Sequence, residues 1–517
     1  MLIVSLVFCL QSYTQEYIFK FNVGSREEIN FLTNIISIDN VSGMEVTAYA
    51  NDKQLKIFKE LGYDFVFLPH PAQNKAITMA TTTAQMANWD RYPTYDVYVQ
   101  MMNNFAANYP DLCQLVNIGT SEDGRSLLAV KISDNVNQKE AKPEFFYTST
   151  MHGDETTGFI LLLRLIDWLL SNYGVIDDAT YLVDNFEIYI NPNANPDGTY
   201  AGGNSTVSGA TRKNSNGVDI NRNFPDPRAG NHPDGESWQA ETQAMMNFAN
   251  QHNFVMSANF HGGIELINYP WDTWTEGYND YHPHADRDWW FKVCTDYATS
   301  AQNNSPSGYF TGYGGVTNGG DWYVITGGRQ DYMNYFHNCR EVTIEVSGYK
   351  MVSSDSLPDY WNYNYQAMIN YIKEANYGFN GIVTNMDGEP LSAIIEISGH
   401  DVDNSWVKTS PFNGDYYRPI QPGIYNVTYS SEGYISQNHS VSVSNWQTST
   451  QKDVVLKRNV TLSGKVTNSE TGEPVSDVTI SFPGSSVDNT HTDSQGNYLA
   501  DLLEGEYQVK ALSLIHI

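Results

Sequence analysis

Cations are scarce in this chain: 29 Lys and Arg stand against 59 Asp and Glu in 517 residues, a formal charge of −30. A surface that negative repels a phosphate backbone, excludes nucleic acid as a partner and attracts cationic ligands. Cysteine is nearly missing, with four in all. Cys113, Cys294 and Cys339 form no CxxC pair, which excludes a thiolate metal cluster and leaves room for one disulfide and a free thiol at most. No stretch reaches the roughly 18 apolar residues of a membrane span, so no transmembrane segment is expected. "FILLLRLIDWLL" (159–170) reads instead as a buried helix. The N-terminal "MLIVSLVFCLQSYTQ" is shorter still and is expected to be the apolar part of a signal peptide over residues 1–15. The positive charge before such a run and an A-x-A site are lacking, and the Phe before Cys9 makes "LVFC" a poor lipobox. The expected location is secreted, extracellular or periplasmic.

What is present is a globular composition, 41% hydrophobic and 13% aromatic, in a chain long enough for two to four domains. Residues 16–73 mix a strand-like "EYIFKFNV" with "NDKQLKIFKELGYDFVFL", a helix then a strand, and form a small α+β unit, propeptide-like or accessory. The polar stretch 74–87 reads as a linker. From 88 to 376 apolar strands alternate with helical stretches at 156–172, 236–252, 285–302 and 357–375, which implies an α/β domain with a mixed central sheet flanked by helices. In such folds ligand sites gather at the carboxyl ends of strands. There the chain places His152 after "FFYTST", Asn191 after "FEIYI" and His261 after "FVMSANF". After 377 helical periodicity vanishes. "GIVTNMDGEPLSAIIEI" from Gly381 recurs as "GKVTNSETGEPVSDVTISF" from Gly464, each followed by a Gly-Asp/Asn-Tyr turn. This repeat predicts two tandem β-sandwich modules, 377–457 and 458–517, the second truncated.

His152 and Glu155 supply two ligand types at close spacing, and His261 ends a separate strand. Two near ligands and one distant one, with a fourth position open, is how catalytic zinc is held. Read alone, the HxxE stays open to a structural histidine beside a solvated acid. The surrounding segments narrow it: "NPNANPDG" (191–198), "RKNSNGVDINRNFPD" (212–226), "NFHGGIELINYPWD" (259–272), "GGRQDYMNY" (327–335) and "EVTIEVS" (341–347), in that order.

In these segments the chain resembles the zinc metallocarboxypeptidases, and within them the regulatory carboxypeptidase D/E/N-like branch. In that branch a sheet domain is followed by a transthyretin-like β-sandwich, which the module at 377–457 fits. The resemblance implies that His152, Glu155 and His261 hold one zinc ion. It implies that Asp219 fixes the far nitrogen of His152. Glu345 matches the general base that takes a proton from the attacking water and delivers it to the leaving amine. Arg212 matches the residue that stabilises the oxyanion. Asn221 and Arg222 match the grip on the substrate's α-carboxylate, where a guanidinium fork suits a carboxylate. Tyr323 matches the mobile tyrosine that closes on the C-terminal residue.

Asp272 sits where the basic-specific branch places an acid, and Gln330 accompanies it, so C-terminal Lys or Arg is the expected preference. Arg329 beside Gln330 would repel such a substrate if it turned inward. Asp154 matches no family role and is expected to be a solvated or capping carboxylate. "HPHADRD" (282–288) is expected to carry surface histidines rather than a second metal. The partners implied are peptide or protein C-termini. A zinc amidase of the same fold and a non-catalytic binding protein are the alternatives, and residues 16–72 holding the enzyme latent is a further possibility.

Overall fold

The computed structural model describes residues 15–72, 77–278 and 280–513. The signal-peptide expectation therefore falls almost wholly outside the described residues, and the linker expectation partly so.

The N-terminal unit is a four-stranded antiparallel sheet with two helices. Its strands are β1 (Tyr17–Asn22), β2 (Ser37–Ser42), β3 (Glu45–Ala50) and β4 (Phe65–Phe67), in the order β2-β3-β1-β4. Helix α1 (Arg26–Leu32) starts on a Ser25 cap, and α2 (Asp52–Glu60) on an Asn51–Gln54 capping box. Phe19, Phe21 and Phe58 stack in its core. That core continues into Leu266, Trp322 and Tyr323 of the next domain. The edge strand β2 faces the same way.

The central domain holds an eight-stranded sheet. Its strands are β5 (Cys113–Thr120), β6 (Ser126–Ile132), β7 (Glu144–Ser149), β8 (Glu187–Asn191), β9 (Phe254–His261), β10 (Glu265–Tyr269), β11 (Val316–Asn318) and β12 (Arg340–Val346). Their order is β11-β10-β12-β9-β7-β8-β6-β5. The middle pairs, β8 with β7, β7 with β9 and β9 with β12, are parallel, and antiparallel pairs flank them. Parallel strands are covered on both faces, which is why "EFFYTS" is buried along its whole length. The helices that accompany the sheet are α3 (Tyr95–Asn108), α4 (Thr157–Asn172), α5 (Asp177–Asn185), α6 (Ala240–Asn250), α7 (Arg287–Asn303), α8 (Arg329–His337) and α9 (Leu357–Lys373). Leu161, Leu165 and Leu169 of α4 lie in the main core, so the long apolar run is a core helix. Among the described residues no single helix is long and apolar enough to cross a membrane.

Residues 378–455 form two facing four-stranded sheets around a shared core of Phe379, Ile395, Tyr416 and Val427. The segment 459–512 adds a two-stranded and a three-stranded sheet about Val478, Ile480 and Phe482. Cys113, Cys294 and Cys339 are buried free thiols.

Candidate metal centre

Three strand ends build the centre. β7 closes at Ser149, and Thr150 follows with φ at 61°, a left-handed conformation that strains a β-branched residue. Its Oγ1 donates to the Glu155 carbonyl at 3.1 Å, which closes the turn. A Cβ on Gly153 in this turn would lie 2.3 Å from the carbonyl carbon of Gly198, so only glycine fits. β9 ends at His261, which pairs in register with Glu345 of β12.

The donor atoms converge. His152 Nδ1 lies 2.8 Å from Glu155 Oε1, His261 Nδ1 lies 2.7 Å from Glu155 Oε2, and the two Nδ1 atoms are 3.0 Å apart. All three side chains are buried. Two imidazole nitrogens and a carboxylate aimed at one point form the donor set of a catalytic zinc site, so these residues fit the metal. The far nitrogens are also held. His152 Nε2 is 3.1 Å from Asp219 Oδ1, which leaves Nδ1 as the ligand atom. His261 Nε2 is 2.7 Å from the side-chain amide of Asn259, whose oxygen end can accept that N–H. Burial pushes the Glu155 carboxyl up, but His152, Lys350 and His261 outweigh it and hold it well below the carboxylate range. Burial lowers His261 to about 4 against the pull of Glu155, leaving the neutral ring that binds metal.

The residues to which the resemblance gives a role lie around this point, whereas Asn191 is buried and donates to the Leu128 carbonyl at 2.7 Å. Arg212 Nε donates to Asp219 Oδ2 at 3.0 Å, and its Nη1 is 3.4 Å from Glu155 Oε1. One cleft is lined by Asn221, Arg222, Tyr323, Asp272 and Glu345. Buried polar atoms around it without a protein partner include Arg222 Nε, Glu345 Oε2 and Gln330 Oε1. Buried polar atoms are rarely left so, and these stand ready for a ligand. Gln330 Nε2 donates to Asp272 Oδ1 at 2.8 Å. Burial, with repulsion from Asp226 and Glu341, pushes Asp272 up to about 7 against the pull of Arg222.

The N-terminal unit fills this cleft. The Asp39 carboxylate lies 3.0 Å from Arg212 Nη1 and 2.5 Å from Lys350 Nζ. Arg222 Nη2 donates to the Ile38 carbonyl at 3.0 Å, and the Tyr323 hydroxyl donates to the Ile38 and Asp39 carbonyls at 3.3 Å each. Ser37 Oγ donates to Asp219 Oδ2 at 2.8 Å. A second contact lies to one side, where Glu16 accepts from the backbone N–H groups of Arg212 and Lys213 at 3.0 and 3.2 Å. The cavity left in the cleft is about 20 Å³, room for about one water molecule and too small for a substrate side chain.

Two expectations change, and the condition attached to Arg329 is not met. Asp154 is not solvated: it is fully buried and accepts from the Tyr49 hydroxyl of the N-terminal unit at 2.9 Å. Arg329 does not turn inward but pairs with Glu341. The "HPHADRD" histidines are not simply surface groups. His282 is partly covered and lies 2.6 Å from Asp403, while His284 is buried and pushed by that burial down to about 3. Asp286 beside it, with His400 and Asp401, could gather around a cation. Arg340 and Arg418 already occupy that position, at 2.9 and 2.8 Å from Asp286 Oδ2. Lys350, Asn259 and Asp39 were not legible as site residues. Asn259 had a signal, two places before His261 on the same strand face. Lys350 follows Glu345 by one short turn, and Asp39 had no local signal at all.

A family model described as zinc carboxypeptidase matches residues 98–367. Human (Homo sapiens) carboxypeptidase D is 35% identical over 367 residues, covering 68% of this chain and 26% of that protein. The chain thus spans about a quarter of that relative's length. The catalytic chain of carboxypeptidase N from Rattus norvegicus is 33% identical over 412 residues, covering 73% of this chain and 87% of that protein. Carboxypeptidase M from Mus musculus is 33% identical over 367 residues, with 67% and 79% covered. Among solved structures, carboxypeptidase A from Helicoverpa armigera superposes with a TM-score of 0.55 at 19% identity, covering 69% of this chain and 96% of that one.

Proposed function

The chain belongs to the zinc carboxypeptidase family, and from that premise we propose that it removes C-terminal residues, preferably Lys or Arg, from peptides and proteins. The observation that carries the reading is one cleft holding the His152–Glu155–His261 donor set, Glu345 and the Asn221–Arg222 pair, with Asp272 and Gln330 at its far side. Zinc at the triad would polarise the scissile carbonyl and acidify water at the open position. The chain's own groups do the rest. Arg222 and Asn221 bind the terminal carboxylate, which restricts cleavage to the last peptide bond. Tyr323 closes over the terminal residue. Glu345 accepts the proton of the attacking water and hands it to the departing amine. Arg212 neutralises the oxyanion as the carbonyl turns tetrahedral. Asp272, with the free Gln330 Oε1, meets a cationic side chain in a buried pocket, where an unmatched group would be costly.

The same reading makes the N-terminal unit an inhibitor in place. Ile38 offers its carbonyl to the carboxylate clamp, Asp39 sets an anion on the oxyanion residue, and Tyr323 is pinned to both. No substrate enters while β2 is seated. The domain boundaries at 16–73, 88–376 and 377–457 follow this division of labour, the last as a transthyretin-like brace. Export rests on the N-terminal apolar run alone, and N-terminal sequencing of protein recovered from the medium tests it.

The test uses the full chain with a sequence-specific protease site inserted between residues 72 and 77. Release of Arg from hippuryl-Arg and of Phe from hippuryl-Phe is measured before and after cutting, with and without a chelator. Low activity before cutting, a rise after it, preference for hippuryl-Arg and loss to the chelator are expected. No release from either peptide after cutting and zinc loading would overturn the carboxypeptidase reading. Equal rates before and after would overturn latency alone.

A further inference from the structure

A guanidinium beside Gln330 threatens a pocket meant for cationic side chains, yet the Arg329 side chain runs away from it. It is 1% exposed and lies over the Phe146 ring, 4.8 Å from the centroid. Nη1 donates to Thr148 Oγ1, and Nη2 lies 2.9 Å from Glu341 Oε2. Thr148 belongs to β7, which leads to His152, and Glu341 belongs to β12, which carries Glu345. The Arg329 backbone N–H donates to Asn221 Oδ1 at 2.9 Å. That commits the oxygen end of Asn221 and leaves its NH₂ end for a carboxylate.

The first turn of α8 depends on such ties. Two glycines precede it, and Gly327, with φ at 73°, donates its N–H to Asp226 Oδ2 at 3.0 Å and accepts from the Phe224 N–H at 3.1 Å. Its next two residues each grip the pocket loop. Gln330 donates to Asp272 Oδ1, and Asp331 accepts from the N–H groups of Asp272 and Thr273 at 2.8–3.0 Å. Arg329 is the member of this turn that reaches the opposite way, into the sheet.

We propose that Arg329 is a positioning residue for recognition of the C-terminal residue. Its fork ties the first turn of α8 to β7 and β12, and so holds Gln330 against Asp272 and the Asn221 amide toward the substrate carboxylate. A planar fork with several donors can make these contacts at once, which a lysine cannot. The inference rests on the carboxypeptidase reading and its basic preference.

Three variants test it in the protease-cut chain: Arg329→Met, Arg329→Lys and the double Arg329→Met/Glu341→Gln. The double variant removes both charges, so no lone carboxylate is left buried if the single variant folds poorly. Kinetics on hippuryl-Arg and hippuryl-Phe are compared with thermal midpoints. Expected is a fall of about tenfold in kcat/KM for hippuryl-Arg, carried by KM, with a change under about threefold for hippuryl-Phe. Arg329→Lys recovers part of the loss, and the double variant recovers the midpoint without the preference. An Arg-to-Phe ratio unchanged within about twofold in folded Arg329→Met or in the double variant would overturn the proposal. If the parent enzyme itself shows no preference for hippuryl-Arg, the specificity reading fails instead.

Discussion

Glu345 stands beside His261 across a pair of parallel strands, with one carboxylate oxygen free of any protein partner. On the proposed mechanism this is the oxygen that meets the proton of the attacking water. Glu345→Gln keeps the shape and removes the basicity, so kcat is expected to fall by about 10²–10⁴ while KM for hippuryl-Arg changes little. Stopped-rate assays on the cut chain measure both. Asp272 carries a pH dependence. Burial raises it to about 7, so in the empty pocket it is protonated below that pH and ionised above it. A cationic side chain needs the ionised form. The kcat/KM for hippuryl-Arg should therefore climb between about pH 6 and 8 beyond any rise shared with hippuryl-Phe. Asp272→Asn should remove that extra limb, and an Arg profile parallel to the Phe profile would contradict the assignment.

At the level of elements, β2 does what no helix cap or core residue does: it spends its edge on another domain. Edge strands present unpaired carbonyls, and proteins normally shield them. Here the Ile38 and Asp39 carbonyls are taken by Arg222 and Tyr323. Asp39 also pairs with both Arg212 and Lys350, which share Glu155 as well. Asp39→Ala leaves Arg212 and Lys350 with Glu155 as the carboxylate they share, and removes the contact that ties β2 to both cations, which weakens the seat of β2. The uncut Asp39→Ala chain is expected to show at least about tenfold more hippuryl-Arg release than the uncut parent, since loss of a buried pair of this kind is worth more than 1.4 kcal/mol. Equal uncut rates would show that Asp39 does not hold the strand down. The fold of the unit is untouched by this change, because Asp39 points out of its core.

Across the whole molecule, the first sandwich is clamped to the catalytic domain by a buried network. Arg418 makes two contacts to Asp286, at 2.8 and 2.9 Å, and one to Asp401 at 2.6 Å, while Arg340 joins Asp286 to the Ser405 carbonyl. Arg418→Met leaves Asp286 with Arg340 and Asp401 with His400 but breaks the pairing across the interface, and should cost about 3 kcal/mol. Calorimetry is expected to show the sandwich melting ahead of the catalytic domain in the variant, and one shared transition would argue against the clamp. Much of this molecule was legible before its structure. Strand and helix alternation predicted the mixed sheet, because burial on two faces writes itself into a run such as "EFFYTS". The donor set was legible because its residues lie at strand ends in short segments. What lay outside local pattern was the contact made at long range. Asp154 reads as a solvated acid in "HGDET" but is buried, and accepts from the Tyr49 hydroxyl, more than a hundred residues earlier. Arg329 reads as a threat to the pocket, and only packing against Phe146 and Glu341 turns it aside. The sequence alone determined which elements form and which chemistry stands at their ends, since periodicity and turn residues act over a few positions. Tertiary structure alone decided which partner each buried charge found, and that an edge strand from another unit occupies the cleft, since nothing local encodes a surface that meets its complement through space.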